Sequence, residues 1–307
     1  MEINLSKSIW HIMSCPNCGN SLTKTDQGVS CSGCLEQFLV TDKGQLDFRL
    51  KKKKIYPFQF ELGTSLLPDD GFDFDLLQKN DSPQLDFSKV KIPYHFTDEL
   101  ISYFPKAKEK DSLVLDLGCG EKIHKEICEY AGFEYVGIDY DSKIAPLLGD
   151  GQALPFKDES FELVILMNVL EHIRYPFVMM NEINRVLKPN GQFIGAVSYL
   201  EPFHMDSYYH HTHLGTFNSL QTAGFDIKYL SPNSHWHVLM SLTDMGALFP
   251  KLPSLISKLF VMPLYFLHRI WWKAGFLLTH SETASEKTRL LRTAGSFFFI
   301  ASKGKKD

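Results

Sequence analysis

The sequence predicts an α/β fold with a mostly parallel sheet, and two observations carry that expectation. Leu113-Val114-Leu115-Asp116-Leu117 is an apolar run of buried-strand type that opens directly into Gly118-Cys119-Gly120 and then a helical stretch, HKEICEYAG. A second such run, Tyr135-Val136-Gly137-Ile138, ends in Asp139, 23 residues beyond Asp116. In an open parallel sheet that position presents a carboxylate to ribose hydroxyls. Ahead of both runs, two Cys-x-x-Cys pairs mark a small unit of another kind.

At 307 residues the chain exceeds the roughly 250 at which a single core tends to divide. Three segments are expected: a zinc ribbon over 1–50, a linker and lid segment over 51–95 and the α/β domain over 96–307. Apolar residues at 44% and charged residues at 22% exclude a disordered or fibrous chain. A net charge of −4 gives no general attraction to phosphate backbones, so nucleic acid is not the default partner, although the run Lys51 to Lys54 could touch an anion. The opening residues lack the charged-then-apolar pattern of a secretory signal, which predicts a cytoplasmic protein.

In a reducing compartment cysteines bind metal more readily than they pair. Cys15 and Cys18 are separated by twelve residues from Cys31 and Cys34. Four thiolates at this spacing close a tetrahedral site with no position left for water, so a structural zinc is expected; disulfides are the alternative. The residues QFLVTDKGQLDF read as a terminal hairpin turning at Asp42-Lys43-Gly44. From Arg49 to about His95, Pro57, Pro68, Pro83 and Pro93 and the stretch GFDFDLL predict irregular chain. It either buries its aromatics on the next domain or forms a lid over the site.

The glycines after Leu117 let backbone approach a ligand closely, and the helix start beyond them offers unpaired N–H groups. Further on, Gly149 to Phe156 places Asp150 where it can accept from an adenine amino group. Asn168, Glu171 and His172 follow the strand Phe161 to Leu166, again at a carboxyl end.

LVLDLGCG, YVGIDYD, GDGQALPFKDESFELVILMNVLEHI and RVLKPNGQFIGAV resemble, in order and spacing, the motifs of class I S-adenosylmethionine-dependent methyltransferases. The resemblance covers about 96–242 and, through GSFFFIA, the last strand. It implies a Rossmann-like seven-stranded sheet and S-adenosylmethionine as methyl donor. It places Asp116, Gly118 and Gly120 against the methionine end, Asp139 on the ribose, Asp150 and Gln152 beside the adenine, and Asn168 in the pocket wall. The third glycine of the family is replaced here, with Glu121-Lys122 following Gly120; Lys122 is either a partner for the methionine carboxylate or a solvated lysine. The cysteine module is likewise similar to zinc ribbons found ahead of some bacterial methyltransferase domains.

Beyond Ser198, YLEPFHMDSYYHHTHLGTF is crowded with groups that exchange protons and reads as the acceptor mouth. Displacement at an activated methyl needs chiefly alignment, and a base only where the nucleophile carries a proton. His204 is the first candidate base, followed by His172, His210 and His211, with Asp206 and Tyr208 as orienting groups. Each histidine alone also reads as a hydrogen-bonded loop residue, and a second metal site from His204, His210, His211 and His213 is a further alternative. P-F-H-x-D-x-Y followed by T-x-x-G is similar to loops of methyltransferases in cell-envelope glycan pathways.

Between about 246 and 293 lies the most apolar stretch, FPKLPSLISKLFVMPLYFLHRIWWKAGFLL, an apolar helical insertion that by the resemblance interrupts the final hairpin. Its longest uncharged run, Leu259 to Leu267, falls far short of the roughly twenty residues of a membrane span. Leu255, Leu259, Met262, Phe266, Ile270 and Phe276 recur near helical spacing, while Arg269, Trp271, Trp272 and Lys273 have interfacial character. The insertion either packs on its own domain or a second subunit, or makes peripheral membrane contact through 250–280. The expected function is methyl transfer to an oxygen or nitrogen of a small-molecule, glycan or lipid-linked acceptor. An RNA methyltransferase gripping RNA with its ribbon, and a non-catalytic binding module, are the alternatives.

Overall fold

A computed structural model describes residues 5–60, 74–202 and 206–304. The chain opens with a short helix, α1 (Lys7–Ile12), whose start is capped by the Ser6 hydroxyl accepting from the Ile9 N–H. An antiparallel ribbon follows, formed by β1 (Leu22–Thr25), β2 (Gly28–Cys31) and β3 (Gln37–Leu39). Val40 bridges Leu46 across the turn expected at Asp42-Lys43-Gly44. The chain beyond that turn leaves the ribbon, and β4 (Leu46–Asp47) pairs in parallel with Leu147 and Leu148.

Next come α2 (Asp98–Ile101), β5 (Leu113–Leu117), α3 (Lys125–Tyr130), β6 (Glu134–Asp139), β7 (Leu147–Leu148) and β8 (Phe161–Met167). They are followed by α4 (Pro176–Val186), β9 (Leu187–Ser198), α5 (His213–Thr222) and β10 (Phe225–Pro232). The chain ends with α6 (Val238–Asp244), α7 (Ser254–Thr279), α8 (Glu286–Thr293) and β11 (Ser296–Lys303). The large sheet has the order β10-β11-β9-β8-β5-β6-β7-β4. Its pairs are parallel from β9 through β4, while β11 is antiparallel to both of its neighbours. Seven of its strands are those the resemblance implies, and the ribbon adds an eighth, β4, at the edge.

Strand β5 is buried along its whole length because helices cover both faces. Leu113, Leu115 and Leu117 belong to one apolar cluster with Phe156, Met179, Met180 and Ile183, and Val114 to a second with Leu100, Phe104, Ile127 and Cys128. Cys31, Phe38 and Phe48 of the ribbon belong to the first cluster. Phe38 and Phe48 are fully enclosed with ring centroids 5.0 Å apart, and each burial contributes about 1.5–3 kcal/mol. Backbone bonds reinforce the join: the Ser14 N–H donates to Pro155 O (3.0 Å) and the Phe48 N–H to Leu148 O (2.7 Å). The Gln45 amide donates to Ser142 O (2.9 Å) and Ala145 O (2.8 Å).

In the linker, Phe74 stands edge-on to His213 at 4.6 Å, the Leu77 N–H donates to Ser231 Oγ (2.8 Å), and Phe87 packs edge-on against Phe104. Phe74 and Phe87 thus settle on the domain while Tyr94 stays exposed, and Gly71, Phe72 and Asp73 of GFDFDLL lie outside the described residues. Pro232, at the end of β10, is paired with Phe297, and Ser296 of β11 with Ser198, at the end of β9. The segment 233–295, carrying α6, α7 and α8, therefore leaves and rejoins the sheet at its carboxyl rim. Among the described residues no helix is long and apolar enough to cross a membrane.

Candidate active site

Neighbouring strands β7, β6, β5, β8 and β9 are mutually parallel, so their carboxyl ends form one rim. Asp139 ends β6, Gly118 follows β5, Asp150 lies just beyond β7, Asn168 follows β8 and Ser198 ends β9. Hydrogen bonds join these loops. The N–H groups of Gly118 and Cys119 both donate to Ile138 O (2.9 and 3.2 Å), and the Gly149 N–H donates to Asp139 O (2.9 Å).

The two glycines have different physical reasons to be glycine. At Gly118 φ is 75°, and an added Cβ would lie 2.4 Å from Val169 Cγ2. At Gly120 φ is 48°, but nothing lies within 4 Å of the Cβ position, so that side of the backbone faces open space. Lys122, where the family has its third glycine, adopts the same left-handed conformation, with φ 58°. Its side chain lines a cavity of about 310 Å³ together with Ile9, Glu129 and Glu134.

Asp139 accepts the N–H groups of Gly120 (2.9 Å), Asp141 (2.9 Å) and Ser142 (2.8 Å). Three donors fix a carboxylate that has about four lone-pair sites, leaving capacity for a ligand hydroxyl. Asp150 accepts the Gln152 N–H (2.9 Å) and side-chain amide (3.0 Å), and Gln152 Oε1 accepts the Tyr175 N–H (3.1 Å). Asn168 is left-handed at φ 55°, donates its N–H to Ala196 O (3.0 Å) and reaches Ser198 Oγ at 3.4 Å.

Asp116 is more enclosed than its implied place at the methionine end would suggest. It is 1% exposed, and its oxygens accept the Tyr135 hydroxyl (2.7 Å) and face His124 Nδ1 (3.0 and 3.2 Å). His124 Nε2 in turn stands 3.0 Å from His95 Nδ1. Burial, and then the neighbouring His124, depress the half-buried His95 to about 4. Sequence reasoning missed this Asp116–His124–His95 chain. His124 sat unremarked in a helical stretch, and His95 closed a segment read as linker; periodicity gives no signal for either.

Among the residues expected at the acceptor mouth, His204 lies outside the described residues. His211 is buried, its N–H donates to Ser198 O (2.8 Å), and burial pushes its pKa down. His210 is exposed and turns Nδ1 to Tyr199 O (2.6 Å), as a loop tie does. His172 is half-buried at the end of a 3-10 turn, its N–H on Val169 O (3.0 Å). Asp206, at φ 52°, and Tyr208 are exposed. Glu171 ties the loop after β8 to the segment beyond β9: its side chain, fully buried, accepts from Ser198 Oγ (2.5 Å), and its carbonyl accepts the N–H groups of Tyr208 (2.7 Å) and Tyr209 (3.2 Å).

Cys15 and Cys34 bring their Sγ atoms to 3.6 Å, Cys18 and Cys31 to 3.4 Å, and all four lie within 4.8 Å of one another. A zinc ion with bonds near 2.3 Å holds tetrahedral thiolates about 3.8 Å apart, so the donor set fits. The Gly33 and Cys34 N–H groups point at Cys31 Sγ (3.3 and 3.4 Å). Asn20 does the same for Cys18 (3.3 Å) and lowers that thiol to about 6. Among the described residues this is the one group suited to a metal; no histidine cluster joins it.

A glycine turn, a carboxylate ending the next strand and a second acidic loop beyond the third share this rim, where open α/β sheets take their ligands. Residues 115–195 match the family described as methyltransferase domain, an interval containing all seven residues assigned to the donor, and the chain carries a class I S-adenosylmethionine-dependent methyltransferase domain. The chain is 37% identical over 120 residues to an uncharacterised protein of Methanocaldococcus jannaschii, covering 35% of this chain and 53% of that one. It is 30% identical over 105 residues to an uncharacterised methyltransferase of Mycobacterium leprae, covering 30% and 39%. The chain thus spans about half or less of the length of these relatives. A solved phosphoethanolamine N-methyltransferase 2 of Haemonchus contortus aligns with a TM-score of 0.40 at 18% identity, covering 66% of this chain and 50% of that one.

Proposed function

We propose that this chain binds S-adenosylmethionine along the carboxyl rim and transfers its methyl group to an oxygen or nitrogen of a small-molecule, glycan or lipid-linked acceptor. The observation that carries the proposal is the open side of Gly120, whose N–H is held by the same carboxylate, Asp139, that has capacity left for a ribose hydroxyl. Gly118 and Gly120 would take the methionine end, Asp139 the ribose, Asp150 and Gln152 the adenine edge, and Asn168 the wall. Cys15, Cys18, Cys31 and Cys34 would hold a structural zinc. When bound, the donor supplies a methyl group on a sulfonium, already activated for displacement.

An acceptor hydroxyl or amine loses its proton as its lone pair takes the methyl carbon. His95, which burial keeps neutral at pH 7, would receive that proton as a weak base. If His124 donates Nδ1–H to Asp116, its Nε2 accepts His95 Nδ1–H, and His95 Nε2 is left as the bare acceptor. His124 and Asp116 then act as positioning residues. An RNA acceptor is the less supported reading, because three of the four lysines in the run 51–54 are tied to the ribbon: Lys51 to Gln37 O (3.0 Å), Lys52 to Glu36 (3.0 Å) and Lys54 to Pro16 O (2.6 Å).

Calorimetry with S-adenosylmethionine and S-adenosylhomocysteine tests the proposal. The wild-type chain should bind both. Asp139→Ala should lose charge-assisted hydrogen bonds worth about 1.5–3 kcal/mol, roughly ten- to a hundredfold in affinity. A wild-type chain that binds neither compound refutes the reading.

A further inference from the structure

Helix α7 turns an apolar face outward that no described residue covers. Leu259, Phe260, Leu267, Ile270, Trp271 and Leu278 are between 63% and 84% exposed, and of the whole helix only Ser257 and Val261 are buried. At about 100° per residue, those six exposed side chains fall within one half of the helix circumference. Lys258, Arg269 and Lys273 gather on one flank of that half. From Met245 to Ser281 there is no acidic residue, against four cations including Lys251, in a chain whose net charge is −4. Beside the face, a groove of about 750 Å³ runs between α7 and residues 284–287. Phe266, Ile270, Trp272 and Phe276 line it with the cations Arg269, Lys273 and Lys287 and one carboxylate, Glu286, which is itself held by Arg289 (2.6 Å); the balance of apolar wall and cations suits an acyl chain beneath a phosphate headgroup.

We infer that α7 lies in the plane of an anionic membrane surface and docks this chain on it. The charge decides the occupant. Two copies of this helix face to face would set Lys258, Arg269 and Lys273 against the same three, and among the described residues only Lys258 has an acidic partner of its own, Asp244 at 2.9 Å, whereas anionic headgroups complement them. Trp271, at 78% exposure, is the residue type that settles at a bilayer interface. The helix is joined to the site rim: Tyr265 stacks on His237 at 4.2 Å, and the Ser241 hydroxyl donates to Leu200 O (2.8 Å), just beyond β9. Docking by α7 therefore carries the acceptor mouth to the membrane surface. The docking itself stands apart from methyl transfer; that the acceptor is lipid-linked rests on the proposed activity.

Flotation of the full chain with vesicles of equal parts phosphatidylcholine and phosphatidylglycerol tests the inference. The chain should float with these and at least tenfold less with pure phosphatidylcholine. The double variant Leu259→Glu/Trp271→Glu should lose binding at least tenfold while keeping its circular dichroism and its melting temperature, and Arg269→Glu/Lys273→Glu should lose the preference for the anionic lipid. Absence of flotation, equal flotation with both vesicles, or a dimer in sedimentation that Trp271→Glu dissociates would each overturn it. Calorimetry with S-adenosylhomocysteine on the same samples keeps failure of docking distinct from failure of donor binding.

Discussion

Alanine at Gly118 and at Gly120 should separate the folding role of the glycine turn from its ligand role. A left-handed φ costs a non-glycine residue about 1–2 kcal/mol. Gly118→Ala adds a Cβ 2.4 Å from Val169 Cγ2, and such overpacking typically costs about 1–3 kcal/mol more. The total of about 2–5 kcal/mol corresponds to a melting temperature lower by on the order of 10 °C. Gly120→Ala meets no atom within 4 Å, so it carries the φ cost alone and should melt only a few degrees lower. Its methyl group, however, enters the space that the proposed site gives to the donor. Affinity for S-adenosylhomocysteine in calorimetry should fall tenfold or more, about 1.4 kcal/mol, with heat capacity and circular dichroism unchanged. If Gly120→Ala binds as wild type does, the open side of Gly120 is not where the donor lies, and the assignment of the rim fails.

Other consequences can be measured directly. A single zinc per chain is expected by atomic absorption, and Cys18→Ser or strong chelation should lower the melting temperature of the whole molecule, because Cys31 and Phe38 sit in the main core. Phe48→Ala should cost about 3–5 kcal/mol in denaturant unfolding, since a fully enclosed ring at the ribbon–sheet junction would leave a cavity. His237 is depressed to about 4 by burial, then by Arg289, and its Nδ1 accepts the Leu239 N–H at the start of α6. The unfolded chain thus binds the proton more readily than the folded one. Its stabilisation is complete above pH 6.5 and lost as pH falls towards 4, and His237→Asn should flatten the melting curve over that window while keeping the cap. Nitrogen-detected NMR of labelled histidine should find His95 neutral at pH 7 with Nε2 unprotonated and Nδ1 carrying the hydrogen; a proton on Nε2 would remove it as the base.

The strands of the donor rim were legible because the parallel sheet writes each as a continuous apolar run ending in a glycine or acid, as at Leu117-Gly118 and Ile138-Asp139. The cysteine spacing was legible for the same kind of reason, a fixed local geometry. What stayed hidden depends on contacts between distant residues. Nothing local told Leu46 and Asp47 to pair with β7 rather than complete their own hairpin, since two residues carry no register signal. His95 gains its meaning from His124, 29 residues away, and Asp116 its enclosure from Tyr135. In α7 the helical spacing was readable, but Leu259 and Ile270 would look the same in sequence whether turned inward or outward.

The junction of β4 with β7 would couple metal held by the four cysteines to donor affinity at the proposed site. The four-cysteine cluster braces the ribbon, the ribbon lays Leu46 and Asp47 along Leu147 and Leu148, and two residues later the same backbone reaches Asp150. A chain deprived of its metal should therefore present a frayed adenine edge, and by thermodynamic reciprocity a bound nucleoside should raise the affinity for the metal by the same factor. The same pairing masks the outer edge of β7, which would otherwise stand open as a template for strand addition by other chains. Zinc starvation would then be felt twice, as weaker donor capture and as a tendency to aggregate.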